Sequence, residues 1–344
     1  MSRSIATRPE TVDSNELHNI CNAEAGRLLI GKAGGYYSFF LFSGGRLTCI
    51  KALCEDSRAD EIIIARIMNI KKELGAAFLR ISEDTEAFIK LSNIPERYMP
   101  VKQGDLIPVR IISEDQKGKR ISVTAKIGKK LIPEGWEHKS AYTVLAKKDN
   151  PLKSYILKSF APEDFAKIIT GDAEVFSLLK DEEIYGCRAE LYTDEKLSLS
   201  KLYSLKTRIS EALSQKVYLK SGAYLVINRT EALTVIDVNS GKNTPSKKTD
   251  RNEIIFDINN EAAKEIAIQL KLRNISGMIL VDFINMEPED DARRLIEAME
   301  EYVSGDKVTV KVIDITPLGI MELTRQKTDK PLEEIKDILS DYLN

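Results

Sequence analysis

The first half of the chain reads as short strands and the second half as a strand–helix–strand unit. Apolar runs at Arg27–Ile30, Tyr36–Phe42 and Arg46–Ala52 are separated by Gly34-Gly35 and Gly44-Gly45, which predicts an antiparallel meander. The run Tyr36, Tyr37, Phe39, Phe40 and Phe42 is apolar on both faces, which favours core over an exposed stacking platform. From Asp60 to Lys126 the pattern predicts five strands: Ile62–Met68, Ala76–Ile81, Ala87–Leu91, Leu106–Ile112 and Arg120–Ala125. Five short strands in that span suit an OB-fold barrel, a common binder of single strands. Residues 1–20 are polar and aperiodic, and Lys129 to Pro151 reads as a linker-like connection. Within it the pattern predicts a strand over Ala141–Lys147, and beyond it helices around Pro162–Ile169 and Ala173–Lys180 and a strand over Cys187–Tyr192. Leu202, Leu205, Ile209 and Leu213 then mark a helix, followed by a strand over Lys216–Leu219.

The stretch from Leu225 to Met286 carries the candidate chemistry. Two apolar runs, each with an aspartate near its C-terminal end (Asp237 and Asp282), flank a helix over Asn252–Arg273. Ile255, Ile258, Ala262, Ile266 and Leu270 give that helix one apolar stripe. Strand, helix, strand over this length is a βαβ unit with parallel strands, so both carboxylates fall at the sheet edge where open α/β sheets bind ligands. Close carboxylates repel unless a proton or cation lies between them, and a hard cation such as Mg²⁺ suits oxygen ligands. Asn239, two residues after Asp237, returns to the same side of the strand and adds a neutral amide. On spacing alone a second reading stands, in which both aspartates simply cap nearby helices. Further on, a helix with Ala292, Leu295, Ile296 and Met299 on one face follows Pro288, then strands over Lys307–Ile315 and Ile320–Thr324 and a short helix with Leu332, Ile335 and Leu339.

Lys+Arg total 51 against Asp+Glu 53, so only local charge patches bear on nucleic acid. One such patch, Lys102 to Lys130, holds eight Lys/Arg against three acidic residues. No apolar run reaches membrane-spanning length, and the N-terminus lacks a signal-peptide core. The four cysteines (21, 49, 54 and 187) form no CxxC pair and fit a reducing cytoplasm. With only His18 and His138 present, histidine-based catalysis is not expected.

The segments TEALTVIDVNSGKNT, NNEAAKEIAIQLKLRNISGMILVDFINM and GIMELTRQK resemble, in order and spacing, the catalytic core of the ribonuclease E/G family. The resemblance implies a Mg²⁺ ion held by Asp237 and Asp282, assisted by Asn239. Lys242, in the loop after Asp237, is a candidate phosphate contact, with an ordinary solvated lysine as the equal alternative. It also places IARIMNIKKELGAAFLRISEDTEAFIKL and the segment after it as the family's RNA-binding OB-fold. Phe78 and Phe88 then match its stacking aromatics and Lys119 a basic contact, with barrel core as the alternative for both rings. The implied fold is mixed α/β: an RNase H-like scaffold in two halves (22–58 and 140–220), the inserted OB-fold (59–128), a DNase I-like catalytic subdomain (221–328) and a C-terminal helix (329–344).

Three departures qualify the resemblance. The interval Ile127–Tyr142 is too short for the family's 5′-monophosphate sensor, and no Arg-Thr sensor motif is found. The Cys-Pro-x-Cys zinc-link is absent, so a homo-oligomer, if formed, is not expected to be zinc-linked. Pro317 stands where many members have Arg, which removes one RNA contact. The expectation is a cytoplasmic, Mg²⁺-dependent endoribonuclease acting on single-stranded RNA. Its alternatives are an RNA-binding protein of the same fold that does not cleave, and, more weakly, a metal-dependent DNase.

Overall fold

The computed structural model describes residues 11–12, 26–113, 121–147, 150–241, 248–286 and 289–343. The chain divides into two units, one of them Glu55–Ser154 and the other assembled from the segments on either side. The larger unit begins with β1 (Thr11–Val12), β2 (Arg27–Ala33), β3 (Tyr36–Ser43) and β4 (Arg46–Cys54). Strands β2 to β4 form the meander that the glycine pairs predict, with Ile30 opposite Phe39 and Phe40 opposite Ile50. Phe39, Phe40 and Phe42 are buried, so this aromatic run is core.

The inserted unit is built on β5 (Ile62–Lys71), β6 (Ala76–Arg80), β7 (Glu86–Lys90), β8 (Leu106–Ser113) and β9 (Ile121–Thr124). β5 pairs with β6 and β8, β7 with β6 and β9, and β8 with β9, so the ring closes into an OB-like barrel. Alternate residues fill its interior: Ile63, Ala65 and Ile67, then Ala77 and Leu79, Ala87 and Ile89, Val109 and Ile111. Part of the expected linker belongs to this unit. β10 (Val144–Ala146) pairs antiparallel with β5, the Tyr142 N–H donates to the Ile64 carbonyl (2.7 Å), and Trp136 packs edge-on against Tyr98.

The larger unit resumes at Tyr155, within α1 (Pro151–Ser159), and continues with β11 (Lys167–Thr170), α2 (Ala173–Leu179), β12 (Ala189–Tyr192), α3 (Leu199–Leu202) and α4 (Leu205–Leu213). The helix expected around Pro162–Ile169 is instead a single 3₁₀ turn at Pro162–Asp164 followed by β11. The reason is tertiary: Ile168 and Ile169, β-branched and fully buried, pair in parallel with β2 on one side and β12 on the other. The sheet order is β1-β12-β11-β2-β3-β4. Phe39 packs on Tyr155 and Phe160 from α1 and its end, while Phe42 meets Tyr203.

The remaining strands are β13 (Lys216–Tyr218), β14 (Tyr224–Arg229) and β15 (Leu233–Asn239), then, after α5 (Lys248–Leu272), β16 (Gly277–Asp282). They are followed by α6 (Glu289–Ser304), β17 (Val310–Ile315), β18 (Ile320–Arg325), α7 (Leu332–Ile335) and α8 (Ser340–Leu343). This second sheet runs β13-β14-β15-β16-β18-β17. The apolar stripe of α5, with Ile258, Ala262, Ile266 and Leu270, joins one core with Leu225, Ile236, Val238, Ile279 and Val281. Each fully buried aliphatic side chain there contributes about 1.5–3 kcal/mol. The helix stops at Asn274, whose φ of 48° is the left-handed conformation that asparagine tolerates, and the Ile275 N–H donates back to the Leu270 carbonyl.

Ion pairs tie α5 and the C-terminal segment to the first sheet. Arg46 of β4 forms a two-pronged pair with Glu265, Lys271 reaches Asp164 (2.6 Å), and the buried Lys51 reaches Asp329 (2.5 Å). Among the described residues no helix is long and apolar enough to cross a membrane.

Candidate active site

The run from Leu225 to Ser240, read from sequence as one stretch, is a hairpin. Thr230 makes the bend, its hydroxyl accepting from the Leu233 N–H (3.1 Å). Its second arm, β15, alternates strictly: Thr234, Ile236 and Val238 are buried against the helix layer, while Val235, Asp237 and Asn239 face the other way. β16 pairs with β15 in parallel, and the register sets Asp237 opposite Asp282. Residues opposite one another on adjacent strands point to the same face, so the βαβ unit brings the two carboxylates together at the strand ends, as expected. At a strand spacing of about 4.8 Å, two such charges repel by about 1–3 kcal/mol, depending on screening.

Asn239 is part of the same group: its Nδ2 donates to Asp237 Oδ2 at 2.7 Å, fixing that carboxylate's rotamer. Gly241 follows with φ +64°, and a Cβ there would lie 2.4 Å from the Gly222 carbonyl oxygen, so only glycine fits this turn. Lys242 lies outside the described residues, as does Lys119.

The segment after Asp282 is held by a residue the sequence reading passed over. Asn259 of α5 is fully buried; its Nδ2 donates to the Ile284 carbonyl (2.7 Å) and its Oδ1 accepts from the Ile284 N–H (3.1 Å). Its signal in the sequence is an amide set beside Ile258 and Ala262 in an otherwise apolar stripe, because a buried amide must find partners.

Among the described residues no group of three or more His, Cys, Asp or Glu side chains is placed to hold a metal ion. Two carboxylates alone suit a hard cation that keeps most of its water, and not a fully protein-ligated zinc. The Asp237–Asp282 pair therefore suits a hard divalent cation.

In the barrel, Phe78 and Phe88 stand opposite one another on β6 and β7, ring centroids 6.0 Å apart. Both are half-buried, while their strand neighbours Ala77, Leu79, Ala87 and Ile89 are at 0% exposure. The rings thus lie outside the barrel interior, with Lys71 Nζ 5.9 Å from the Phe78 centroid. Lys129, Lys130 and Lys139, in the short interval after the barrel, are exposed.

A chain with this carboxylate pair on a mixed sheet and an inserted OB-like barrel has a match among known proteins. The profile of the Ribonuclease E/G family aligns with residues 80–328, well over half of the chain, and the chain belongs to that family. It is 42% identical over 134 residues to Ribonuclease G of Salmonella typhimurium, a match that takes in 39% of this chain and 27% of that protein. Ribonuclease E of Synechocystis sp. is 44% identical over 141 residues, 41% of this chain and 21% of the relative. Ribonuclease G of Haemophilus influenzae is 31% identical over 234 residues, 66% of this chain and 47% of the relative. The chain thus spans less than half the length of each of these relatives.

Proposed function

We propose that this chain is an endoribonuclease that uses Mg²⁺ to hydrolyse phosphodiester bonds in single-stranded RNA. The observation that carries the reading is the register of Asp237 against Asp282 in a chain of the Ribonuclease E/G family. Asp237 and Asp282 would hold the ion, which when bound supplies Lewis acidity to a phosphate oxygen and acidifies a water. Asn239 keeps the Asp237 carboxylate turned to the open face through its 2.7 Å hydrogen bond. Asn259 holds the backbone just beyond Asp282. Phe78 and Phe88 supply half-exposed rings for stacking bases, the usual device of an OB-type barrel on single strands.

In this reading the first sheet, a meander extended by parallel strands, is an RNase H-like scaffold, and the second sheet with its two long helices is a DNase I-like catalytic subdomain. The site of action is the cytoplasm. The test uses RNA and DNA oligonucleotides with and without Mg²⁺. RNA cleavage that needs the metal, and that falls at least about 100-fold (about 2.7 kcal/mol) in Asp237→Asn and in Asp282→Asn, is expected. Wild-type turnover in either variant removes these residues from the mechanism, and binding without any cleavage makes the chain a non-cleaving RNA-binding protein.

A further inference from the structure

The open face of the second sheet carries more than the carboxylates. In the register of β13, β14 and β15, Tyr218 stands opposite Tyr224 and Tyr224 opposite Asn239. The next row along the same face holds Lys216, Val226, Asp237 and Asp282. Tyr218 is 71% exposed, unusual for so large a ring, and its centroid lies 6.1 Å from that of Tyr224. Lys216 Nζ sits 4.8 Å from the Tyr218 centroid and 3.6 Å from that of Tyr224, so one ammonium group serves both rings.

The arrangement is held in place from behind. The turn joining β13 to β14 closes with the Leu219 N–H donating to the Ala223 carbonyl (2.9 Å). The Glu261 carboxylate of α5 accepts from the Lys220 N–H (2.8 Å) and the Ser221 N–H.

We propose that Tyr218, Tyr224 and Lys216 form a nucleotide-stacking subsite that seats a base of single-stranded RNA beside the Asp237–Asp282 pair. A nucleotide offers a π face and an anionic phosphate, and this cluster presents the complements of both, exposed rings and a cation fixed between them. Tyr218 lies two strands across and one row along from Asp237, about 12 Å at ordinary strand geometry, a reach of about two nucleotides. The inference rests on the RNA-directed reading above but does not require cleavage.

The test measures binding of the full chain to a labelled single-stranded RNA in EDTA, so that no turnover enters. Tyr218→Ala and Tyr224→Leu are expected to weaken affinity about 5- to 100-fold each, with Tyr218→Phe within about twofold of wild type and melting temperatures unchanged for the Tyr218 variants. An abasic residue walked along the RNA should weaken wild-type binding at one position that no longer matters in Tyr218→Ala. That position should differ from those affected by Phe78→Ala and Phe88→Ala.

Tyr218→Ala and Tyr224→Leu proteins that bind as wild type, or a Tyr218→Ala loss that is the same whichever base is missing, overturn the subsite. Should Tyr224→Leu fail to fold, Tyr218→Ala and the abasic walk decide alone. A parallel cleavage assay with Mg²⁺ keeps the two ideas apart. RNA that binds through the tyrosines but is not cut defeats the nuclease reading only, and RNA that is cut while the tyrosine variants bind normally defeats the subsite only.

Discussion

Replacing Asn259 with alanine removes both of its hydrogen bonds to Ile284 without altering a charge. The side chain is fully buried in the stripe of α5 that packs on the sheet, so water cannot readily replace it. The Ile284 N–H and C=O both lose a partner, at about 1–2 kcal/mol each, which gives a loss of about 2–4 kcal/mol. For a unit of this size that lowers the melting temperature by about 4–16 °C. Calorimetry or chemical denaturation reads the loss, and amide hydrogen exchange locates it, because protection of the Ile284 amide should fall first. The same substitution frees the backbone two residues beyond Asp282, so Mg²⁺-dependent cleavage should drop while RNA affinity in EDTA is retained. A variant that loses less than about 0.5 kcal/mol with Ile284 still protected would refute the reasoning, since it would mean that the clamp contributes little to holding that segment.

Phe78→Ala and Phe88→Ala should each weaken RNA binding by about 1–3 kcal/mol, with stability losses below the 3–5 kcal/mol of a core phenylalanine; melts beside binding curves check both. Asp329→Asn should cost about 3–5 kcal/mol at neutral pH by stranding the buried Lys51 ammonium. Burial alone would lower the Lys51 pKa, but Asp329 and Cys49 outweigh it and hold it above 10.5. The wild-type contribution is therefore fully present below pH 10.5 and lost as pH rises through the folded-state value, so the gap between wild type and Asp329→Asn in urea titrations should narrow at high pH. A gap that stays constant from pH 7 to about 11 would count against this. Single-stranded RNA bearing a 5′-monophosphate, a 5′-hydroxyl or a circular backbone should be cut at similar rates. A tenfold advantage for the monophosphate would mean about 1.4 kcal/mol of recognition from a pocket other than the exposed Lys129, Lys130 and Lys139.

The barrel strands, the meander and the αβ crossing were legible because their signals are local: period-2 alternation, glycine pairs at the bends, and a helix stripe from Ile255 to Leu270. Asp237 and Asp282 could be placed at one sheet edge from sequence because a βαβ unit forces parallel strands; a shared core face then excludes one-residue slips, and the observed register sets the two opposite each other. What escaped was set by distant partners. Lys167–Ile169 reads as the end of a helix until β2 and β12 are placed on either side of it. The roles of Asn259, Tyr218 and Tyr224 depend on which elements lie across from them, which no spacing along one strand records.

The parallel pairing of β2 with β11 also sets an order of events during synthesis. Between Cys54 and Ile169 the ribosome adds about 115 residues, which takes about 6–23 s at 5–20 residues per second. The barrel, contiguous in the chain, is complete within that interval. The meander is not: its Phe39 needs Tyr155 and Phe160, and its Phe40 waits longer still for Tyr342. Until β11 emerges the nascent protein therefore carries a three-stranded apolar ribbon ahead of the barrel, open along both β2 and β4, which makes that ribbon prone to premature self-association.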